Sequence, residues 1–351
     1  MASFSVSGVG IAGIAAAVPK NKALNKDYNW ISVAEREKLI KAVGISERRI
    51  AKKGVTSVDI CEAAANKLLE DLEWDRSSVD LLVFVSQFRD YIVPFSAAIL
   101  QDRLSLSTQC LAFDIPLGCS GYAYGLSVVS SMLGRPGLNR ALLIVGDVTS
   151  HSVSYQDKSL YPLTGDAGTA TALESDANAE PMAFNLNTDG SGYDMITIPD
   201  GGTRNPVNKN SFTKKRVSKG IWRSNTDVAM KGEELFEFAL REVAPNIRTL
   251  LKSIGLKPDA IDNFVFHQAN RLMIEIIRKT LKIPEERVPY SLGLFGNTNT
   301  ATIPLTIVTE LSNQLKEGPQ RLLLSGFGIG LSWGAVVLKL ENIMIPPLIE
   351  I

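Results

Sequence analysis

The chain has 351 residues, 45% of them hydrophobic, with 37 basic side chains balanced by 37 acidic ones. That length is enough to bury a large core. The zero formal charge excludes a disordered polyelectrolyte and argues against a protein that grips nucleic acid by its phosphates, which takes a basic surplus.

The N-terminal apolar run ends in small residues, but no Lys or Arg precedes Lys20. It therefore lacks the positive region of a secretory signal. No later stretch offers the roughly 18 uncharged apolar residues of a membrane span. With unpaired cysteines, a cytoplasmic location and no membrane contact are expected. Gly8-Val-Gly-Ile-Ala-Gly13 satisfies GxGxxG, yet Pro19 and the polar segment 20–26 follow where a dinucleotide site needs a helix. These glycines are read as a strand end and turn.

A helix is expected over Thr56–Leu72, where Cys61, Ala65, Leu68 and Leu72 mark one apolar face and Thr56 with Asp59 suits the opening turn. The strand Val79-Asp-Leu-Leu-Val-Phe-Val85 follows, and it reappears as Ile261-Asp-Asn-Phe-Val-Phe-His267 after a second helix near 232–251. Further strands repeat in the same order, Ala141–Val145 matching Arg321–Ser325 and Thr169–Leu173 matching Gly334–Leu340. Between them, small-residue turns open a helix in each half: Gly118-Cys-Ser-Gly121 and Gly296-Asn-Thr-Asn299. The chain thus reads as two copies of one α/β unit, 1–180 and 181–351, with the junction near Ser175–Pro181. Uninterrupted apolar strands imply sheets covered on both faces by helices. Two packed halves would bring their equivalent turns face to face. The 190–223 stretch reads as a long exposed insertion.

Three cysteines (Cys61, Cys110, Cys119) and two histidines (His151, His267) give neither a disulfide framework nor a metal-ligand spacing, so no metal is expected. Cys119 sits between glycines at a helix start, where the macrodipole and free N–H donors favour a thiolate. Cys61 and Cys110 read as inert. His267 ends a strand, at the rim where α/β folds keep their sites. Asn297 occupies the turn that mirrors the cysteine turn. A Cys, His and Asn converging from two halves make a nucleophile with two polar groups able to stabilise an oxyanion or enolate. His151 also follows a strand end, but no matching turn surrounds it.

These residues carry a family resemblance. Leu117-Gly-Cys-Ser-Gly-Tyr122, Val265-Phe-His-Gln-Ala-Asn270, Phe295-Gly-Asn-Thr-Asn-Thr-Ala301 and Gly326-Phe-Gly-Ile-Gly-Leu-Ser-Trp-Gly334 resemble blocks of the 3-oxoacyl-(acyl-carrier-protein) synthase III family. Gly44-Ile-Ser-Glu-Arg-Arg-Ile-Ala51 and Gly165-Asp-Ala-Gly-Thr-Ala-Thr171 add to a likeness that runs nearly end to end. The resemblance implies a thiolase-like fold, a layered αβαβα sandwich of the two halves. It implies decarboxylating condensation of an acyl-CoA starter with malonyl-acyl carrier protein through a Cys119 acyl-enzyme. His267 and Asn297 would stabilise the enolate. The N–H groups of Cys119 and of the Gly328-Ile329-Gly330 loop would form the oxyanion hole. Asn270 would orient the network or the pantetheine arm, and Trp30 lies near the family's adenine-stacking tryptophan. The product would be a 3-oxoacyl chain on the carrier, for fatty-acid or related lipid or secondary-metabolite synthesis. No cofactor is implied beyond CoA and phosphopantetheine as substrate carriers, and a homodimer is expected.

The chain departs from the family pattern in three places. Ile329 interrupts what is usually a run of glycines and is expected to alter the loop, because isoleucine takes positive φ at a cost. Ala42 stands where an arginine commonly helps hold CoA. Ser86-Gln87-Phe88 stands where hydroxymethylglutaryl-CoA synthases carry a catalytic glutamate, so that activity is not expected. Seven basic residues and no acidic one lie between Arg204 and Arg223. Lys214, Lys215 and Arg216, joined by Arg271, Arg278 and Lys279 beyond the HQAN block, form the candidate docking face for an acidic carrier protein or CoA phosphates. The alternative reading is a non-condensing acyltransferase or thioester hydrolase using the same Cys-His-Asn set. A non-catalytic carrier binder is opposed by the intact set itself.

Overall fold

The apolar run Leu81–Val85 forms a strand buried along its whole length, paired in parallel with Leu111–Ile115 on one side and Arg140–Asp147 on the other. Such a strand has no face left for water, so helices must cover both sides of its sheet. Residues 2–133, 135 and 137–351 are described by the structure, a computed structural model. The first sheet has six strands in the order Ile349–Glu350, Val9–Val18, Ala167–Ser175, Arg140–Asp147, Leu81–Val85, Leu111–Ile115. The second has five, in the order Ala2–Val6, Met182–Thr188, Ser332–Leu340, Gln320–Gly328, Asn263–Phe266.

Five layers result. Helices Ser57–Asp71 and Ser96–Arg103 seal the outer face of the first sheet through Val58, Leu68 and Leu100 against Leu82, Phe84 and Ile144. Helices Gly232–Ser253 and Arg271–Leu281 seal the outer face of the second through Phe238, Ile247 and Ile274 against Phe264 and Leu323. Between the sheets lie Gly121–Met132 and Thr302–Glu310, whose Tyr122, Leu126, Ile303 and Leu305 pack with Val85 and Leu143 of one sheet and Phe184 and Leu324 of the other. The helix opening at Ser57 starts with a reciprocal cap between Thr56 and Asp59, as the sequence implies.

The internal repeat extends to individual hydrogen bonds. Asp80 donates its N–H to Arg140 O at 2.9 Å, and its carboxylate takes the Asn139 N–H at 2.7 Å. Asp262 donates to Arg321 O at 2.9 Å, and its carboxylate takes the Arg321 N–H at 2.6 Å. The repeated aspartate pins the start of the neighbouring strand in each half.

The division expected at 180/181 is crossed by a strand pairing from each half. Ala2–Val6 runs antiparallel to Met182–Thr188 in the second sheet, and Ile349–Glu350 lies parallel to Ala17–Val18 in the first. The GxGxxG stretch continues into the strand Val9–Val18, with no helix after it. The 190–223 insertion carries the small hairpin Lys215–Ser218/Ile221–Arg223. A buried ion pair of Arg223 with Asp157 fastens it to the body, helped by Trp222 N–H to Gln156 O at 3.0 Å. Among the described residues no helix is long and apolar enough to cross a membrane.

Candidate active site

Cys119 sits in the turn between the strand Leu111–Ile115 and the helix Gly121–Met132, 9% exposed. The strand Gln320–Gly328 of the second sheet passes against it. A Cβ on Gly326 would stand 2.7 Å from Cys119 O, and one on Gly328 would stand 2.8 Å from Cys119 Cβ and Sγ. Glycine at those two places is a condition of the two halves meeting at the sulfur.

Ile329 itself takes no positive φ in this loop. The positive φ values fall on its neighbours, +156° at Gly328 and +139° at Gly330, so the isoleucine keeps an ordinary backbone. Its backbone N–H and that of Cys119 both act on the thiol in the direction of a lower pKa. The helix start leads one to expect a lowered pKa overall, but burial outweighs these donors and pushes the Cys119 thiol up to about 12. A thiolate here would lose hydration that two N–H groups only partly replace.

His267 follows the strand Asn263–Phe266 and is 2% exposed. Its N–H donates to Ser325 O at 2.8 Å, and its ring stands edge-on to Phe327, with centroids 5.6 Å apart. Nδ1 lies 2.7 Å from the Thr302 hydroxyl. Burial lowers its pKa to about 3, so the ring is neutral at physiological pH. Asn297 is held by its backbone, N–H to Leu163 O at 2.7 Å and C=O to Gly165 N–H at 3.0 Å. Its Oδ1 accepts the Asn299 N–H at 2.9 Å.

Cys119, His267, Asn297 and Asn270 line one cavity of about 220 Å³, together with Gly328 and Ile329. Phe88, Val153, Leu160, Ile196, Val228 and Met230 supply an apolar wall. Asn270 also caps the helix Arg271–Leu281, its Oδ1 accepting Met273 N–H at 2.9 Å. Trp30 and Gly330 are not among the lining residues; Trp30 Nε1 donates to Gly220 O at 3.0 Å, at the tip of the basic hairpin. Lys214, Lys215 and Arg216 are exposed, as are Arg271 and Lys279. Arg278 is occupied. It grips Glu275 through Nε at 3.0 Å and Nη2 at 2.8 Å and donates Nη1 to Ile283 O at 2.8 Å, which leaves its side chain 13% exposed. Arg271 is paired as well, its Nη2 3.0 Å from Glu285 Oε1, with its side chain 46% exposed. His151 lies outside the cavity, its Nε2 3.1 Å from Ala51 O. Among the described residues no group of three or more His, Cys, Asp or Glu side chains is placed to hold a metal.

Three further residues belong to the site. Asn299 Oδ1 touches Cys119 Sγ at 3.2 Å, and Thr302 orients the histidine. Asp147, fully buried, takes hydrogen bonds from Ser86 Oγ, Gln87 N–H, Phe88 N–H, Thr300 N–H and Thr300 Oγ1 at 2.6–3.2 Å. Burial raises its pKa to about 6. It ties the 86–88 segment of one half to the asparagine loop of the other. The second asparagine of Gly296-Asn-Thr-Asn299 was a visible signal for Asn299. Nothing in the local sequence marks Asp147.

Residues 113–190 match the family described as 3-Oxoacyl-[acyl-carrier-protein (ACP)] synthase III, and residues 251–340 match its C-terminal counterpart. A beta-ketoacyl-[acyl-carrier-protein] synthase III of Chlamydia caviae is 33% identical over 324 residues, covering 92% of this chain and 94% of its own. The crystal structure of a 3-oxoacyl-(acyl-carrier protein) synthase from Burkholderia xenovorans superposes with a TM-score of 0.94 at 35% identity, covering 99% of both chains. Xanthomonas campestris OleA, at 22% identity and a TM-score of 0.79 over 95% of this chain and 98% of its own, shares the fold. By sequence over most of its length and by the layered architecture, the chain belongs to the 3-oxoacyl-(acyl-carrier-protein) synthase III family of condensing acyltransferases, on the thiolase-like fold.

Proposed function

We propose that the chain condenses an acyl-CoA starter with a malonyl group on acyl carrier protein, through an acyl-enzyme on Cys119. The observation that carries this reading is the convergence of Cys119, His267 and Asn297 from two halves on one largely apolar cavity. In the first half-reaction, the Cys119 sulfur attacks the thioester carbonyl and the N–H groups of Cys119 and Ile329 receive the developing oxyanion. The CoA sulfur leaves with the proton that Cys119 gave up. In the second, malonyl thioester loses CO2 and its carbonyl oxygen becomes an enolate. Neutral His267 and the Asn297 amide donate to that oxygen, and the carbanion attacks the acyl-enzyme to release Cys119. For the histidine to donate through Nε2, Thr302 must give its hydroxyl proton to Nδ1 at 2.7 Å. Asn270, in the cavity wall, steadies the pantetheine arm, and Trp30 with the hairpin tip at Gly220 meets the CoA head group.

Partner surfaces support the same reading. Lys214, Lys215 and Arg216 stand exposed on a hairpin fastened at Arg223, joined by Arg271 and Lys279. This is the face proposed for the acidic carrier. Changing Lys214→Glu and Lys215→Glu together is expected to weaken carrier affinity and flatten its salt dependence, read by titration at two ionic strengths. Unchanged affinity and slope remove the hairpin from the docking face. The homodimer is proposed from the first sheet's unpaired edge, Leu111–Ile115, and the exposed Tyr91, Ile92, Val93 and Phe95 (61%, 78%, 79% and 44%). A protein this apolar at one place commonly covers it with a partner.

Intact-protein mass spectrometry after incubation with acyl-CoA tests the nucleophile. An acyl adduct is expected on the wild type and lost in Cys119→Ala. An adduct that survives that substitution overturns the assignment. Malonyl-dependent release of CO2 with a 3-oxoacyl product separates condensation from transfer to water, which yields free acid. Native spectra of the same samples count subunits, and a monomer throughout removes the dimer.

A further inference from the structure

Cys119 is touched by a side chain that none of these steps uses. Asn299 Oδ1 lies 3.2 Å from Sγ, with Asn299 6% exposed and lining the same cavity. The contact is held from three directions. Asn299 N–H donates to Asn297 Oδ1 at 2.9 Å. Asn299 O lies 3.0 Å from the Thr302 hydroxyl, whose single proton serves either this oxygen or His267 Nδ1 at 2.7 Å, one at a time. The residue has φ of +54°, a left-handed conformation that asparagine tolerates better than most L residues. Gly118 leaves the space, since a Cβ there would stand 3.1 Å from Oδ1. Among the described residues, Nδ2 finds no acceptor.

The geometry points to Asn299 as a further catalytic residue: its amide oxygen accepts from the resting Cys119 thiol, and after a half-turn its Nδ2–H donates to the thiolate. The two ends of a side-chain amide are nearly the same size, so both orientations fit one space. The need for a donor follows from burial, which opposes ionisation of this thiol more strongly than the two nearby N–H groups favour it. During acylation the S–H bond breaks, a bond forms from Cys119 sulfur to the acyl carbon, the acyl–CoA bond breaks, and the proton ends on the CoA sulfur. Asn299 takes no proton. It bonds to the sulfur before and after the proton leaves.

This inference rests on Cys119 being the nucleophile, and its test uses a reagent that needs no acyl substrate. Iodoacetamide alkylates only the thiolate, forming one S–C bond and releasing iodide. The rate at Cys119, read by mass between pH 7 and 9.5, is expected to fall about tenfold in Asn299→Ala along the whole rising limb. It should fall further in Asn299→Asp, where a carboxylate opposes the thiolate. A purely space-filling role predicts the opposite for alanine, because a wider cavity admits the reagent faster. A rate in Asn299→Ala equal to or above wild type overturns the inference. Should that variant lose its cooperative melt, the S–H stretch of wild type minus Cys119→Ala decides. A band shifted down by an amide acceptor is expected, and a band at the free-thiol position overturns it. Acyl-CoA tried on the wild type keeps the two readings apart. No adduct defeats the nucleophile assignment, whereas an adduct with an unchanged alkylation order defeats only Asn299.

Discussion

Replacing His267 or Asn297 by alanine is expected to slow decarboxylation of the malonyl thioester by about 10²–10³-fold, while acylation of Cys119 changes far less. Each donor is aimed at charge that appears only in the second half-reaction, and such a donor is worth about 2.7–4 kcal/mol. Both serve one oxygen, so the double variant should lose less than the product of the single losses. The pH behaviour follows from the neutral ring. The folded-state pKa of His267 is lowered to about 3 from 6.5, so the charged form appears only in strong acid. Decarboxylation should show no step near pH 6.5 that disappears with the histidine. Release of CO2, measured apart from acyl transfer, checks both statements. Equal loss of acylation in His267→Ala would instead make the ring the base that takes the Cys119 proton.

Gly165→Ala is expected to cost at least about 3 kcal/mol and to take the activity with it. A Cβ at Gly165 would stand 1.9 Å from Phe295 O, and both atoms are fixed by backbone, so no rotamer relieves the clash. The segment that must move is the one carrying Asn297, whose C=O takes the Gly165 N–H. Arg48, 1% exposed, holds the other side through Tyr161 O at 2.6 Å and Thr164 O at 3.0 Å. Gly190→Ala is the control, with nothing within 4 Å of its Cβ position. Thermal melts of the two variants give the comparison. If Gly165→Ala melts with the wild type, the asparagine loop is far more compliant than its contacts imply.

The parts of the site legible in the sequence are those that sit on repeated elements. His267 ends the segment Ile261–His267 that repeats Val79–Val85, and Cys119 and Asn297 stand in the two small-residue turns that mirror each other. Residues that act across the two halves were legible at most as members of a motif, not by their role. Asn299 depends on a left-handed turn and a contact reaching to Cys119. Asp147 follows an apolar run and gains its role only when the 86–88 and 300 segments arrive from elsewhere in the chain. The pairing of Arg278 with Glu275 is legible, because the two stand one helical turn apart. The strands and helices were readable from pattern because their burial is local and periodic. The places of Ala2–Val6 and Ile349–Glu350 were not, since short terminal strands carry little pattern and take partners far away in sequence.

Those two terminal strands bear on how the molecule comes into being. Ala2–Val6 is synthesised well before the partner it pairs with, Met182–Thr188, which emerges only after the first half. The first sheet in turn gains an edge from Ile349–Glu350, with Glu350 reaching Arg49 at 2.7 Å, so that edge closes only after both halves have been made. Contacts of such sequence separation are slow to form. During translation the nascent first half holds an unpaired leading strand and an open sheet edge. A growing chain of this kind stays adhesive until both of these pairings have closed.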